Sequence, residues 1–327
     1  MTVYYENDAD IDFLKNKTVA VIGYGNQGRA QALNLRDSGL EVIIGVRADE
    51  TRDLAMKEGF QAFSIPEASE RAQVALLLIP DEIMPEVYQE SILPGLVQGD
   101  AICFASGYNV AFGFIQPPDL IDVVMVAPRM IGDGVRQKYV EGKGFPSFIG
   151  VHQDASGHAL KTTLAIAKGI GSTRSGAMQV SFSQEAELDL FTEQAFGPAF
   201  GAVLISAIQT LIDYGYPVEA AMIELILSGE FAYSMEKIAE LGFFKQMELH
   251  SHTSQYGSMT RSLRFAIPQI GDSMKVVLDE IRSGAFAREW DNELKGGMTV
   301  FNQMKELRTQ HPIAEWERKA RQAFRMD

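Results

Sequence analysis

The sequence predicts an α/β fold, with an N-terminal Rossmann domain built on a doubly wound parallel sheet and an all-α C-terminal domain. A glycine-rich turn, Gly23 to Gly28, lies between a short apolar strand and a helix. Apolar runs without alternation then recur between helical patterns, which is typical of a parallel sheet covered on both faces. After Ser181 a 3.6-residue periodicity takes over. We therefore expect two domains, residues 1–180 and 181–327.

The predicted elements follow in chain order. Strands are expected at 18–22, 40–46, 74–80, 101–105, 122–128 and 147–151, with helices at 28–39, 84–93 and 155–169. Helices of the second domain are expected at 184–214, 217–241, 253–264, 267–283, 298–308 and 312–325. Pro217 at a helix start and Gly242 just past a helix end fit the positional preferences of proline and glycine.

Composition narrows the class of protein. The net charge of −14 argues against a nucleic-acid partner or an anionic membrane surface, because both need a basic surface. The single cysteine, Cys103, lies in an apolar strand, which predicts a buried thiol, no intramolecular disulfide and a cytoplasmic location. The longest apolar stretch, Pro198 to Ile212, contains Gln209 and falls short of a membrane span.

The glycine-rich turn predicts a dinucleotide site. The first glycine permits a tight turn, the second lets the backbone approach a pyrophosphate, and the third allows close packing of helix on strand. The helix N-terminus then faces the phosphates with its amides and its dipole. The predicted cofactor-binding residues of this turn are Gly23, Tyr24, Gly25, Asn26, Gln27 and Gly28.

Other strand ends complete the expected site, because ligands of such sheets bind beyond the carboxyl ends of the strands. The loop from Arg47 to Arg52 holds both acidic residues, which suit the ribose of NAD, and arginines, which suit the 2′-phosphate of NADP. The choice of NADH or NADPH is therefore left open. Pro80 and Asp81 follow another strand, and Asp81 is also a simple helix N-cap.

Four acidic residues open the helical domain. Asp189 and Glu193 are four residues apart and share a helix face. The spacing by itself favours a solvated face over a metal site. Glu185 and Glu187 are also expected to be solvated.

Several segments together resemble the ketol-acid reductoisomerases of branched-chain amino-acid synthesis, in the family order and over nearly the whole chain. They are Gly23–Asn34, LLLIPDE (Leu76–Glu82), MVAP (Met125–Pro128), VRQKYVEGKGFP (Val135–Pro146), QDASG (Gln153–Gly157), DLFTEQ (Asp189–Gln194) and SHTSQYG (Ser251–Gly257). The resemblance implies a knotted helical domain and a homodimer, or a higher homo-oligomer, whose subunits complete each other's active sites.

The family's reaction is an alkyl migration in a 2-hydroxy-2-methyl-3-keto acid, followed by hydride transfer from NADPH or NADH. Two Mg²⁺ ions held by acidic residues drive the migration in that family. The resemblance implies that Asp189 and Glu193 are the first carboxylate pair, and that Glu230 acts from the partner subunit. It also implies that Ser251 contacts the substrate carboxylate.

The sequence departs from the family at several active-site positions. Ser106 replaces a catalytic histidine, Arg129 replaces a lysine, and Ile226 stands where the partner's other glutamate is expected, four residues before Glu230. Further departures are Met130–Asp133, where the family has Gly-Pro-Gly-His, and Arg29 and Gln31, where histidines are common.

These departures lead to the main functional prediction. We expect an NAD(P)H-dependent reductase of a polar C=N or C=O group, without metal-driven migration. Its catalytic groups are Asp189, Glu193, Glu230, Arg129, Ser106 and Ser251, and Asp189 and Glu193 are the ligands of any metal. Two alternatives remain open: a true, Mg²⁺-dependent ketol-acid reductoisomerase that converts acetolactate to 2,3-dihydroxy-isovalerate, and a non-catalytic dinucleotide-binding protein.

Overall fold

The structure is a computed structural model that describes residues 1–265 and 268–326. The chain divides into two compact units, Met1–Leu188 and Asp189–Asp327. The division falls inside a helix, beyond the boundary expected near residue 180. The predicted helix at 267–283 has its first residue outside the described part of the chain.

The first unit is built on one mixed sheet, to which the described residues contribute nine strands in the order β1-β9-β8-β7-β6-β5-β2-β3-β4. The strands are β1 (Val3–Tyr4), β2 (Thr18–Ile22), β3 (Glu41–Gly45), β4 (Gln61–Phe63), β5 (Val74–Leu77), β6 (Ala101–Phe104), β7 (Asp122–Pro128), β8 (Ser147–Gln153) and β9 (Ala177–Gln179). The strands from β2 to β7 pair in parallel, which confirms the predicted class. In addition, β8 is antiparallel to β7 and β1 is antiparallel to β9.

Helices cover the sheet. They are α1 (Asn26–Asp37), α2 (Glu50–Lys57), α3 (Ile65–Arg71), α4 (Met84–Val87), α5 (Tyr108–Ala111), α6 (Gly132–Val140), α7 (Ala159–Ile170) and α8 (Phe182–Phe191). Two apolar clusters fill this unit, one containing Val21 and Leu76 and the other containing Ile22 and Leu77. Adjacent residues of one strand thus enter opposite cores, which explains why these strands are apolar throughout.

Among the described residues of the second unit, the regular secondary structure is helical and no strand is present. Its helices are α9 (Gly197–Asp213), α10 (Val218–Met222), α11 (Glu230–Leu241), α12 (His252–Ser262), α13 (Pro268–Arg282), α14 (Ala285–Lys295), α15 (Thr299–Thr309) and α16 (Pro312–Phe324). Two π-helical turns, Thr192–Phe196 and Ile223–Leu227, interrupt the regular α-helices. A small apolar cluster forms around Ile208, Met222 and Ala320.

One helical segment is longer and more apolar than expected. Phe182–Asp213 is one continuous helical segment of 32 residues, and its most apolar stretch of 18 residues has a mean hydropathy of 1.7. By length and composition alone this segment could cross a membrane, so the expectation that no stretch reaches that length is wrong. Only 11% of this 18-residue stretch is buried.

Candidate functional site

The glycine-rich turn begins where β2 ends. Gly23 has a φ of +98°, a conformation that residues with a Cβ rarely adopt. A methyl group added at Gly28 would lie 2.2 Å from the carbonyl oxygen of Gly23, so only glycine lets α1 start this close to the strand. At Gly25 an added methyl group would have no neighbour within 4 Å. The first and third glycines therefore allow close packing, and the second leaves open space.

The N-terminus of α1 is suited to an anion. Gly25 is its N-cap residue and offers no side chain to cap the first backbone N–H groups. These donors, together with the positive end of the helix dipole, favour a phosphate.

A pocket of about 280 Å³ lies beside this turn. It is lined by Gly23, Tyr24, Gly25, Gly45, Val46, Arg47, Asp49, Thr51, Ile65, Leu78, Ile79, Pro80, Ile83 and Val87. The apolar side chains of Ile65, Ile79 and Ile83 are among the lining residues, which suits an adenine ring, and polar residues of the lining follow the end of β3. The lining and the open space at Gly25 fit the adenosine and pyrophosphate of a dinucleotide.

Tyr24 is held in place by a neighbouring ion pair. Its hydroxyl donates to Glu58 Oε2 at 2.7 Å, and Arg29 Nε donates to the same carboxylate at 3.0 Å. The hydrogen bond from Arg29 lowers the pKa of Glu58, whereas burial and the bond to Glu58 raise the pKa of Tyr24. Arg29, which stands where the family commonly has a histidine, thus helps to hold Tyr24 of the glycine-rich turn in place, because both side chains donate to Glu58.

The other predicted cofactor residues have different surroundings. Gln27 donates to the carbonyl of Met130 at 2.9 Å, and Asn26 lies against Gly132, where an added methyl group would be 2.2 Å from its carbonyl oxygen. These contacts join α1 to the start of α6.

Three of the predicted residues differ in their access to the pocket. Pro80 lines it. Arg52 is not among the lining residues, and its Nη2 donates instead to the carbonyl of Ala62 at 3.1 Å. Asp81 is also outside the lining, and its carbonyl and carboxylate oxygens each accept from Asn109 Nδ2 at 3.2 Å.

A buried carboxylate connects the ends of β6 and β7. Glu185 Oε1 pairs with Arg129 Nη1 at 3.0 Å, and its Oε2 accepts from the backbone N–H of Gly107 at 2.6 Å. The side chain of Glu185 is 1% exposed and that of Arg129 is 27% exposed. The expectation that Glu185 is solvated is therefore wrong: a buried charge is stable here because both carboxylate oxygens have partners.

Sequence reasoning missed Glu185 although a signal was present. Glu185 precedes Asp189 by four residues, just as Asp189 precedes Glu193, so the three carboxylates recur at helical spacing. Ser106 lies next to Gly107, and its Oγ accepts from the backbone N–H of Tyr108 at 3.2 Å. The structure thus gathers Ser106, Arg129 and Glu185 within the first unit.

The second unit carries the other predicted catalytic residues. Asp189 is half-buried, and Glu193, Glu230 and Ser251 are exposed. Glu193 lies in the π-helical turn Thr192–Phe196; such turns often occur at functional sites.

The helix expected at 217–241 is broken, contrary to the prediction. The π-helical turn ends at Leu227, Gly229 has a φ of +81°, and α11 begins at Glu230. Ile226 and Glu230 therefore do not share one regular helix. Ile226 instead packs against the apolar cluster around Met222, in keeping with its apolar side chain.

The described residues of one chain bring no large cluster of metal-ligating side chains together. Among them, no group of three or more His, Cys, Asp or Glu side chains is placed to hold a metal ion. The available donors are carboxylates, the ligand type that Mg²⁺ prefers.

Comparisons with known proteins cover both units. Residues 13–176 match the family model "Acetohydroxy acid isomeroreductase, NADPH-binding domain", and residues 182–326 match "Ketol-acid reductoisomerase, C-terminal domain". The chain is 44% identical over 314 residues to ketol-acid reductoisomerase (NADP(+)) of Pyrobaculum aerophilum, covering 95% of each protein. It is 43% identical over 315 residues to the enzyme of the same name from Methanopyrus kandleri, covering 95% of this chain and 94% of the relative.

A solved structure is similar over almost the full length. It is an NADH-preferring ketol-acid reductoisomerase from an uncultured archaeon, with 33% identity and a TM-score of 0.93, covering 98% of this chain and 99% of that one. The main functional prediction, a reductase of imines or ketones without alkyl migration, is wrong on these findings. Relatives matched over nearly their whole length are named as reductoisomerases, which was the first alternative.

Proposed function

The chain belongs to the ketol-acid reductoisomerase family, and we propose that it converts acetolactate to 2,3-dihydroxy-isovalerate with a reduced nicotinamide cofactor. The observation that carries this proposal is the full-length match of both units, together with a dinucleotide pocket beside Gly25. Relatives are named for NADP(+) in two cases and as NADH-preferring in a third, so the names leave the dinucleotide open.

The reaction consists of two balanced steps. A methyl group moves with its bonding electrons from C2 to C3, while the C2 hydroxyl loses its proton and the C3 carbonyl oxygen gains one. Hydride from the nicotinamide then adds to the new C2 ketone, which also takes up a proton. The first step leaves the oxidation level unchanged, and the second oxidises the cofactor.

The first unit holds the cofactor. Gly23 to Gly28 and the start of α1 bind the pyrophosphate, and the pocket beside them binds the adenosine. The hydrogen bond from Tyr24 to Glu58 keeps the turn in its binding conformation. Gln27 adds a second constraint through the carbonyl of Met130.

Arg129 and Ser106 bind and orient the substrate in this proposal. A guanidinium has five N–H donors, so Arg129 can contact Glu185 and an anionic substrate group at once. Glu185 fixes the orientation of that guanidinium and ties it to the backbone at Gly107. The Ser106 hydroxyl accepts from the Tyr108 N–H and can donate its own proton to a substrate oxygen. Ser251 contacts the substrate carboxylate.

Asp189 and Glu193 are the proposed magnesium ligands, with Glu230 supplied by a second copy of the chain. When bound, Mg²⁺ acts as a Lewis acid that polarises the substrate oxygens and so favours the migration. The loss of a carboxylate at Ile226 leaves this set one ligand smaller than that implied by the family resemblance. Water can fill such a position, because Mg²⁺ commonly keeps several waters.

A homodimer is the proposed assembly. The second unit exposes many large apolar side chains, and α9 borders a groove of about 730 Å³. The groove is lined by Ala199, Ala202, Val203, Ser206, Ala207, Thr210, Leu211, Leu225, Phe265 and Ile270. Exposing this much apolar surface to water is unfavourable, and packing against a second copy of the chain would bury it. The same contact explains the apolar exposed segment Phe182–Asp213 without a membrane.

The cytoplasm is the proposed location. The only cysteine, Cys103, is a buried free thiol, and a reducing compartment is compatible with it. The chain is therefore proposed to act there as a biosynthetic enzyme.

The decisive assay compares two substrates of the purified full-length protein, with Mg²⁺ and with NADH or NADPH. Acetolactate requires both steps, whereas 3-hydroxy-3-methyl-2-oxobutyrate, the product of migration, requires only reduction. We expect turnover of both, with 2,3-dihydroxy-isovalerate as the product of each. Reduction of the second compound alone would mean that migration has been lost, and the proposal would be rejected.

Sharing of sites between subunits has its own test. Asp189→Asn and Glu230→Gln are each expected to be inactive as homodimers. With random pairing after co-expression, about half of the dimers are heterodimers, and each heterodimer has one intact site of two. About a quarter of the wild-type activity should therefore return. No recovery in verified heterodimers would show that both residues act within one chain.

A further inference from the structure

The loop that follows β3 carries the charges nearest to the adenosine end of the cofactor pocket. Arg47, Asp49 and Thr51 line the pocket, and Glu50 begins α2. Asp49 lies about 20 residues after Gly28, the usual distance from the glycine-rich turn to the acidic residue that binds an adenosine ribose. This loop is therefore placed to distinguish a free 2′-hydroxyl from a 2′-phosphate.

Asp49 is fixed by the backbone of the helix that it caps. Its Oδ1 accepts from the N–H of Thr51 at 3.0 Å, and its Oδ2 lies 3.5 Å from Arg47 Nη2. The side chain is 37% exposed. A carboxylate has about four lone-pair sites, so Asp49 can cap the helix and still accept hydrogen bonds from both ribose hydroxyls.

The same arrangement is unfavourable for a 2′-phosphate. An anion could otherwise bind at the N-terminus of α2, but the carboxylate of Asp49 already occupies the first-turn amide of Thr51. Glu50 adds a second negative charge at the same end of the helix. A phosphate of about two negative charges would therefore meet like charges.

The arginines do not reverse this balance. Arg52 donates to the carbonyl of Ala62 and is outside the pocket lining, so its guanidinium is directed toward β4. Arg47 lines the pocket, but its side chain is 84% exposed and lies closest to Asp49. Arg47 and Asp49 are thus the charged residues of the pocket lining, and Glu50 adds a negative charge at the start of α2 outside that lining.

We infer that this chain selects NADH over NADPH, and that Asp49 determines the choice by binding the ribose diol and repelling a 2′-phosphate. The inference deepens the proposed function and rests on it. Charge-assisted hydrogen bonds from the ribose diol to Asp49 should favour NADH over NADPH by roughly 10- to 100-fold in affinity.

The test is equilibrium binding of NADH and of NADPH to the full-length protein, followed by the fluorescence of the reduced nicotinamide. The variant is Asp49→Asn, because asparagine caps a helix about as well as aspartate and so preserves α2. Asp53→Asn is the matched control: it removes the same charge from an exposed position of α2 that is outside the pocket lining.

The wild type is expected to bind NADH at least about tenfold more tightly than NADPH. Asp49→Asn should lose most of this preference by weakening NADH and strengthening NADPH, and Asp53→Asn should keep it. Equal or tighter binding of NADPH by the wild type would overturn the inference. An unchanged ratio in Asp49→Asn would overturn it too.

The binding ratio separates this inference from the proposed function. A protein that prefers NADPH but converts acetolactate refutes the role of Asp49 and leaves the reductoisomerase activity intact. A protein that prefers NADH but converts no acetolactate refutes the activity and supports the role of Asp49. Failure to bind either dinucleotide refutes both.

Discussion

Glu185 and Arg129 form an ion pair of 3.0 Å that joins the start of α8 to the end of β7. The carboxylate is buried and is also bound by the amide of Gly107, whereas the guanidinium reaches partly into solvent. The pair therefore orders a cation at the strand ends where ligands of such sheets bind. Replacing the family's lysine by Arg129 keeps the positive charge and adds a planar group that can contact two anions.

Removing the positive charge should destabilise the first unit. Arg129→Met leaves Glu185 buried without its cation, and such a change costs about 3 kcal/mol. Arg129→Lys keeps the charge and should cost no more than about 1 kcal/mol. Urea unfolding of the two variants gives the comparison. Equal stability of Arg129→Met and the wild type would show that water replaces the guanidinium without cost.

Gly25 and Gly28 should respond differently to the same substitution. Gly28→Ala places a methyl group 2.2 Å from the carbonyl of Gly23, so α1 must move and we expect poor folding. Gly25→Ala meets no protein atom within 4 Å, so the fold should survive while the methyl group obstructs the pyrophosphate. Thermal unfolding and NADH titration of both variants test this. A stable Gly28→Ala protein with normal affinity would contradict the packing argument.

The sequence predicted the central strands well because their apolar runs reflect burial on both faces. The predicted bounds of β2 and β7 agree with the structure. The short strands β1, β4 and β9 lack such runs, since most of their residues are only partly buried, and they were missed. The antiparallel pairing of β8 depends on the chain's path after α6, which local patterns do not encode.

The site was predictable where backbone geometry selects residue type, as at Gly23 and Gly28. Glu185 was misjudged because a glutamate is usually exposed, and only its partners Arg129 and Gly107, distant in sequence, make burial favourable. The break before Glu230 was missed because a π-helical turn leaves no clear periodic signal.

Lowering the pH should weaken the hydrogen bonds that Arg29 and Tyr24 donate to Glu58. The hydrogen bond from Arg29 lowers the pKa of Glu58, so the folded state favours the ionised form. The stabilisation is therefore present above the usual glutamate pKa of about 4.3 and is lost as pH falls through the lower folded value. Because Arg29 is half exposed, we expect no more than about 1 kcal/mol.

The measurement is the difference in the free energy of unfolding between the wild type and Glu58→Gln. It is followed from about pH 3.5 to about pH 7, a range that brackets the usual glutamate pKa. The difference should be constant above about pH 5 and shrink in more acidic solution. Glu50→Gln, at an exposed position that begins α2, the helix whose C-cap is Glu58, is the control and should show little difference. A difference that grows on acidification would contradict the assigned direction.

Cys103 offers a direct probe of opening in the first unit. It is the only cysteine, it is 2% exposed within β6, and burial raises the pKa of its thiol to about 12. At pH 8 only about one molecule in 10⁴ then carries a thiolate, so a maleimide or disulfide reagent should react almost entirely with opened molecules. We expect labelling in native buffer to be at least about 10³-fold slower than in denaturant, as followed by mass spectrometry.

Ligand binding should slow this labelling further, because NADH binds the closed unit. At 100 times its Kd, NADH stabilises by about 2.7 kcal/mol, which is roughly a 100-fold slower reaction. Gly25→Ala should label at the wild-type rate without NADH and gain little protection from it, since the substitution affects the pocket rather than the fold. Rapid native labelling that is insensitive to NADH would mean that Cys103 is reached without opening of β6, and the burial argument for this strand would fail.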